Sequence, residues 1–124
     1  MEKAKYIWMD GTLTPWDEAT VHVLTHTLHY GNGAIEGTKA YKTEDGRCAI
    51  FKLNEHTQRL LDSSKMTLMN VPFTREELNA AQIKLLQENK LFDGAYIRPL
   101  VYLGYGVTGL YHKDAPVKVS ISSW

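Results

Sequence analysis

Residues 95–105, Ala-Tyr-Ile-Arg-Pro-Leu-Val-Tyr-Leu-Gly-Tyr, constrain the fold more than any other stretch of the chain. The run reads as a strand, and the two-residue period of a strand puts Tyr96, Arg98, Leu100 and Tyr102 on one face and Ile97, Pro99, Val101 and Leu103 on the other. The first face mixes polar tips with apolar bodies; the second is apolar throughout. A second strand-like segment, Val117 to Ile121, follows it.

Upstream, Tyr6 to Met9, Asp10-Gly11 and Thr12 to Thr14 spell a hairpin, because Asp-Gly readily takes the positive backbone angles of a tight two-residue turn. Glu36 to Lys42 and Arg47 to Leu53, flanking Glu44-Asp45-Gly46, read as a second hairpin. Between the two, Ala19 to Ala34 is irregular, with three histidines and Gly31-Asn32-Gly33, and predicts a turn of helix and a tight loop whose glycines take unusual angles. Asn54 is placed as the N-cap of a helix running to about Met66, with His56, Arg59 and Ser63 on a polar face beside Leu60, Leu61, Ser64 and Leu68. Thr74 and Glu77 have capping-box spacing and open a second helix whose buried stripe is Leu78, Ala81 and Leu85; Pro72 separates the two helices. The elements add up to an α+β fold, a largely antiparallel sheet with two main helices packed on one face.

At 124 residues the simplest organisation is one domain, 1–124, large enough for a single core and short for an enzyme that must enclose a cofactor. Fourteen Lys and Arg balance fourteen Asp and Glu, and no basic stripe is interleaved with aromatics, which argues against nucleic acid as a partner. No stretch approaches the ~20 apolar residues of a membrane span, and no signal-peptide run opens the chain. Cys48 is the only cysteine, so there is no internal disulfide framework; a cytoplasmic, reducing compartment is expected.

Two arginines stand out. Arg59 sits mid-helix, where a guanidinium wants a planar or multivalent anion, and a phosphate clamp competes with a surface pairing to Glu55 or Asp62. Arg98 shares a strand face with Tyr96 and Tyr102, residue types that suit a carboxylate anchor with aromatic walls; the alternative is an edge arginine lying over apolar neighbours. His22, His26 and His29 lack a zinc-type motif and are expected to bond backbone in their loop, so no metal site is assigned. Gly31-Asn32-Gly33 lacks a phosphate-loop pattern, and Glu36, the single acid of its loop, makes no acid/base pair.

With those residues in view, Tyr6-Ile7-Trp8, the segment from Val21-His22-Val23 through Leu28-His29-Tyr30-Gly31 to Glu36-Gly37, Glu55-His56-Thr57-Gln58-Arg59-Leu60 and Ala95-Tyr96-Ile97-Arg98-Pro99-Leu100 resemble the small N-terminal domain of bacterial branched-chain amino acid aminotransferases, fold-type IV pyridoxal-phosphate enzymes. The resemblance spans nearly the whole chain. It implies a homodimer or dimer-based assembly with the cofactor in a cleft between a small and a large domain. It implies that Arg59 holds the phosphate of pyridoxal 5'-phosphate, and that Tyr96 and Arg98 line the substrate pocket, the arginine meeting the distal carboxylate of glutamate or 2-oxoglutarate. Ile35, Gly37 and Lys39 match positions beside that pocket; Tyr30 and the turn Thr108-Gly109-Leu110 match elements reaching into a partner subunit's site. Ile35 stands where the family often has phenylalanine and Lys39 where arginine is common, which leaves chain-length preference open.

Transamination needs a lysine bound covalently to the cofactor and an acid on its ring nitrogen. By the resemblance both lie in the large domain, so no catalytic residue is assigned within 1–124 and the isolated chain is expected to be inactive. The favoured reading is therefore part of an enzyme moving an amino group between leucine, isoleucine or valine and 2-oxoglutarate. A D-amino acid aminotransferase or aminodeoxychorismate lyase relative, and a free-standing carboxylate-binding module, are the alternatives; Tyr-Ile-Arg-Pro-Leu favours the branched-chain class over those relatives.

Overall fold

The computed structural model describes residues 2–124. Strands β1 (Tyr6–Met9) and β2 (Thr12–Pro15) close the expected hairpin around Asp10 and Gly11, whose φ angles are +47° and +98°. A 3₁₀ turn, Trp16–Glu18, leads through loop to α1 (His26–Tyr30), β3 (Gly33–Ile35), β4 (Thr38–Lys42) and β5 (Cys48–Ile50). Helices α2 (Leu53–Met66) and α3 (Arg75–Glu88) follow, then the long strand β6 (Gly94–Leu103) and β7 (Val117–Ser123). The strands form one sheet in the order β2-β1-β7-β6-β4-β5, with β3 also on β6, and every pairing is antiparallel. Among the described residues no helix is long and apolar enough to cross a membrane.

Both main helices cover the same face of the sheet. Leu60 of α2 and Leu78, Ala81 and Leu85 of α3 are buried against the apolar side of β6 and β7, where Ile97, Val101, Val119 and Ile121 are at most 1% exposed. Each such aliphatic side chain contributes roughly 1.5–3 kcal/mol through burial, the term that holds the two layers together. Asn89, just past α3, donates to the Tyr6 carbonyl and the Ser123 hydroxyl and accepts from the Tyr6 amide, which fixes the helix end to the β1 and β7 edges. Thr74 and Glu77 make the reciprocal bonds of the predicted capping box. On the uncovered face lie Tyr96, Arg98 and Leu100 with Ile35 and Lys39 from the neighbouring strands.

β3 and β4 are one line of chain in a single register against β6: Ile35 faces Leu100 and Thr38 faces Ile97 with no residue inserted. The ladder is interrupted at Glu36 because Pro99, opposite it, has no N–H to return; the Glu36 amide still donates to the Pro99 carbonyl at 3.0 Å. Alternation persists across the gap, with Ala34, Glu36, Thr38 and Ala40 buried and Ile35, Gly37 and Lys39 exposed.

Several local expectations are corrected. Asn54 is not the N-cap of α2; Lys52 takes that position at φ +52° with no side-chain cap, and the Asn54 side chain instead accepts from Asn79 of α3. Leu53, read as the end of a strand, begins the helix. Leu68 does not line the helix flank, because it lies beyond the helix end at φ +59° and is 79% exposed. Gly31 has the expected left-handed backbone, but Gly33 does not; it is a strand residue where a Cβ would meet the Val101 carbonyl at 3.2 Å.

Candidate functional site

The Glu36–Gly37 step sends two successive residues to opposite faces, and an arginine waits on each side. On the helix-covered side the Glu36 carboxylate, 5% exposed, accepts from Arg59 twice: Nε to Oε1 at 2.5 Å and Nη2 to Oε2 at 2.7 Å. His56, one helical turn before Arg59, places Nδ1 2.9 Å from the same Oε2. Arg59's hydrogen bonds hold the Glu36 carboxyl below its ordinary value, outweighing the burial that pushes it up, and His56 adds to the lowering. Neither Glu55 nor Asp62 takes Arg59, so the surface pairing considered from the sequence is replaced by a cross-element one. Ser63, placed on the same helix face, does not join the cluster; it caps the helix end through its carbonyl, which accepts from Thr67.

On the open face Arg98 donates from Nη2 to the Tyr96 hydroxyl at 2.7 Å, and its guanidinium carbon lies 5.2 Å from the Tyr96 ring centre. The Arg98 Nε–H is buried without a partner, and no carboxylate pairs with this arginine among the described residues. A buried donor left unpaired is costly, and nothing within the described chain offsets that cost at Arg98. Trp124 packs against Tyr96 with ring centres 5.0 Å apart and planes inclined at 42°, and their backbones exchange two hydrogen bonds. Gly37 packs under the Tyr96 hydroxyl so closely that a Cβ there would stand 2.2 Å from the oxygen. Lys39 faces Tyr96 across the ladder and Ile35, 56% exposed, faces Leu100, so Ile35, Gly37, Lys39, Tyr96 and Arg98 share one surface.

Tyr30 and Gly109 meet at the sheet's other end. The Gly109 amide donates to the Tyr30 hydroxyl at 2.9 Å and its carbonyl lies 2.8 Å from His26 Nε2, so α1 grips both polar groups of a residue at φ +93°. A carbonyl only accepts, which puts the His26 proton on Nε2. The grip presents Leu110 outward at 83% exposure, beside exposed Tyr105 and Tyr111. The other loop histidines also bond backbone, His22 with the Leu24 amide and His29 with the Val23 carbonyl.

Sequence reasoning missed Glu36 and His56 as members of the Arg59 cluster. Glu36 is 23 residues from Arg59, and only the strand register shows that its side chain turns inward; its lone-acid status in a polar loop was the available signal.

What these pieces define is a two-layer α+β domain carrying one arginine on each side of a strand step, both suited to anions. The pattern of the family described as amino-transferase class IV matches residues 33–124. The chain belongs to that family. It is 48% identical over 118 residues to the branched-chain-amino-acid aminotransferase of Pseudomonas aeruginosa, covering 95% of this chain and 38% of that protein. The fold superposes on branched-chain aminotransferase from Thermoproteus uzoniensis with norvaline at a TM-score of 0.92, with 34% identity over 98% of this chain and 41% of that one. The Thermobaculum terrenum branched-chain amino acid aminotransferase in its PLP-form superposes at 0.87, with 31% identity over 99% of this chain and 40% of that one. The chain thus spans well under half the length of the relatives it matches.

Proposed function

We propose that the chain is the small domain of a branched-chain amino acid aminotransferase, a cytoplasmic, dimer-based enzyme of amino-acid biosynthesis exchanging an amino group between leucine, isoleucine or valine and 2-oxoglutarate. The single observation that carries the reading is the pair of anion-ready arginines flanking the Glu36–Gly37 step, on a fold shared with relatives named for that activity. The donor set fits pyridoxal 5'-phosphate. Arg59 keeps Nη1 free of protein partners for a phosphate, while Glu36 holds Nε–H and Nη2. When bound, that cofactor supplies the electron sink of the reaction.

This chain's own residues bind and orient. Arg98, with the Tyr96 hydroxyl beside it and no carboxylate of the described chain paired to it, holds the distal carboxylate of glutamate or 2-oxoglutarate. Ile35, Gly37, Lys39 and the Tyr96 ring line the side-chain pocket, Gly37 leaving the space that a side chain would fill. Norvaline in the Thermoproteus uzoniensis enzyme is an aliphatic amino acid of the size such a wall would meet. Tyr30, Gly109 and Leu110 form a rigid projection toward a second subunit's site. The lysine and the ring-nitrogen acid of the reaction belong to the remainder of the enzyme, so residues 2–124 supply positioning and no proton transfer.

A fusion tests this reading: the chain replaces the aligned 118-residue region of the Pseudomonas aeruginosa enzyme, and leucine:2-oxoglutarate transamination is assayed. The expected result is activity that Arg59→Ala abolishes. A correctly folded, cofactor-free and inactive fusion would contradict it.

A further inference from the structure

Glu36 is a buried carboxylate assigned no contact with substrate or cofactor, yet it is bonded at both its backbone and its side chain. Its backbone is fixed by the amide bond to Pro99, and its two oxygens take three donors from two residues of α2. A guanidinium offers five N–H donors in one plane. Glu36 occupies Nε–H and one Nη2 hydrogen, which locks that plane, and Nη2 also lies 3.3 Å from His56 Nδ1; Nη1 makes no bond within the described chain, and the Arg59 side chain is 66% exposed. His56, accepted at the Oε2 that Nη2 also reaches, keeps that oxygen from rotating away.

Resting on the assignment of Arg59 to the cofactor phosphate, we infer that Glu36, braced by His56, is the positioning residue that presents the free edge of Arg59 to a phosphate. A solvent-exposed arginine has rotamer freedom that an incoming anion would otherwise have to remove. With Glu36 beneath it, that ordering occurs on folding, before any anion arrives. A purely structural ion pair would instead stabilise the fold and leave phosphate affinity per folded molecule unchanged. The two roles therefore separate experimentally.

The test uses the ¹⁵N-labelled chain with inorganic phosphate as probe, read at the Arg59 Nε–H resonance. Before phosphate is added, that resonance is expected to be ordered on the picosecond–nanosecond timescale, and to shift saturably as phosphate is titrated. Glu36→Gln is expected to raise the apparent dissociation constant about three- to tenfold in the folded fraction, and Arg59→Ala to remove the response. If Arg59→Ala binds phosphate as the parent does, the assignment of Arg59 fails whatever Glu36 does. If Arg59→Ala loses binding while Glu36→Gln keeps or tightens it, Arg59 stands and the role of Glu36 is overturned. Should Glu36→Gln not fold, the parent chain decides: a disordered Arg59 Nε–H before phosphate overturns the inference, and an ordered one supports it.

Discussion

Replacing Gly37 with alanine puts a methyl where the structure has the Tyr96 hydroxyl. The new Cβ would lie 2.2 Å from the oxygen and 3.0 Å from Cζ, so the ring must move by about an ångström to restore ordinary contact. Tyr96 cannot move freely, because the Trp124 ring packs against it and Arg98 donates to its hydroxyl at 2.7 Å. If the ring swings away, the loss is that hydrogen bond, about 1 kcal/mol; if it stays, overpacking costs up to about 3 kcal/mol. At about 2.1 cal/mol/K of unfolding entropy per residue, 1.5 kcal/mol in a chain of this length lowers Tm by roughly 6 °C. Urea and thermal unfolding of Gly37→Ala read this directly, and the Tyr96→Phe background supplies the control. Removing the oxygen leaves Cζ at 3.0 Å as the nearest atom, so most of the penalty should disappear in the double variant. A Gly37→Ala chain as stable as the parent, or an equal penalty in both backgrounds, would refute the close approach from which the pocket wall is built.

Three further outcomes are expected. Glu36 has a folded pKa lowered from 4.5, so its contribution to stability is complete above that value and is lost as pH falls through the lower folded value. Unfolding free energies between pH 7 and pH 3 should therefore drop less for Glu36→Gln than for the parent, and parallel curves would contradict this. Thr74→Ala removes the side-chain half of the capping box and should cost about 1 kcal/mol in urea unfolding, whereas no loss would show that α3 starts without it. Incubation of the chain with pyridoxal 5'-phosphate and borohydride should give no stoichiometric adduct confined to one lysine by intact mass, because exposed Lys39, Lys42 and Lys65 have no enclosed site to single one of them out; full modification of one alone would sink that expectation.

Much of the fold is legible because local chemistry and tertiary structure agree. Asp10-Gly11 demands the turn it makes, Thr74 and Glu77 cap the helix they precede, and the alternation from Tyr96 to Val101 is the alternation of burial on β6, a pattern that ends at Tyr102, buried like its neighbours on both sides. What is not legible is decided by distant residues. The N-terminus of α2 begins at Leu53 after a left-handed Lys52, because the chain must turn sharply from β5 into the helix, and Asn54 is used for Asn79 instead. β3 is three residues long and opens on a glycine, so nothing in its sequence distinguishes it from loop; β6 makes it a strand. For the site, Arg98 is legible from its own strand, since Tyr96 is its neighbour on one face. Arg59 is legible only as an arginine in want of an anion, because its partner arrives from a strand 23 residues earlier.

Arg98 is the residue that separates the two substrates of the proposed reaction. In the fusion with the Pseudomonas aeruginosa enzyme, Arg98→Met removes a charged donor pair from an otherwise intact face, and charge-assisted hydrogen bonds contribute about 1.5–3 kcal/mol. KM for 2-oxoglutarate should rise about tenfold or more, with KM for leucine, which has no distal carboxylate, nearly unchanged. Equal changes for the two substrates, or none for 2-oxoglutarate, would contradict the assignment of this face to the dicarboxylate.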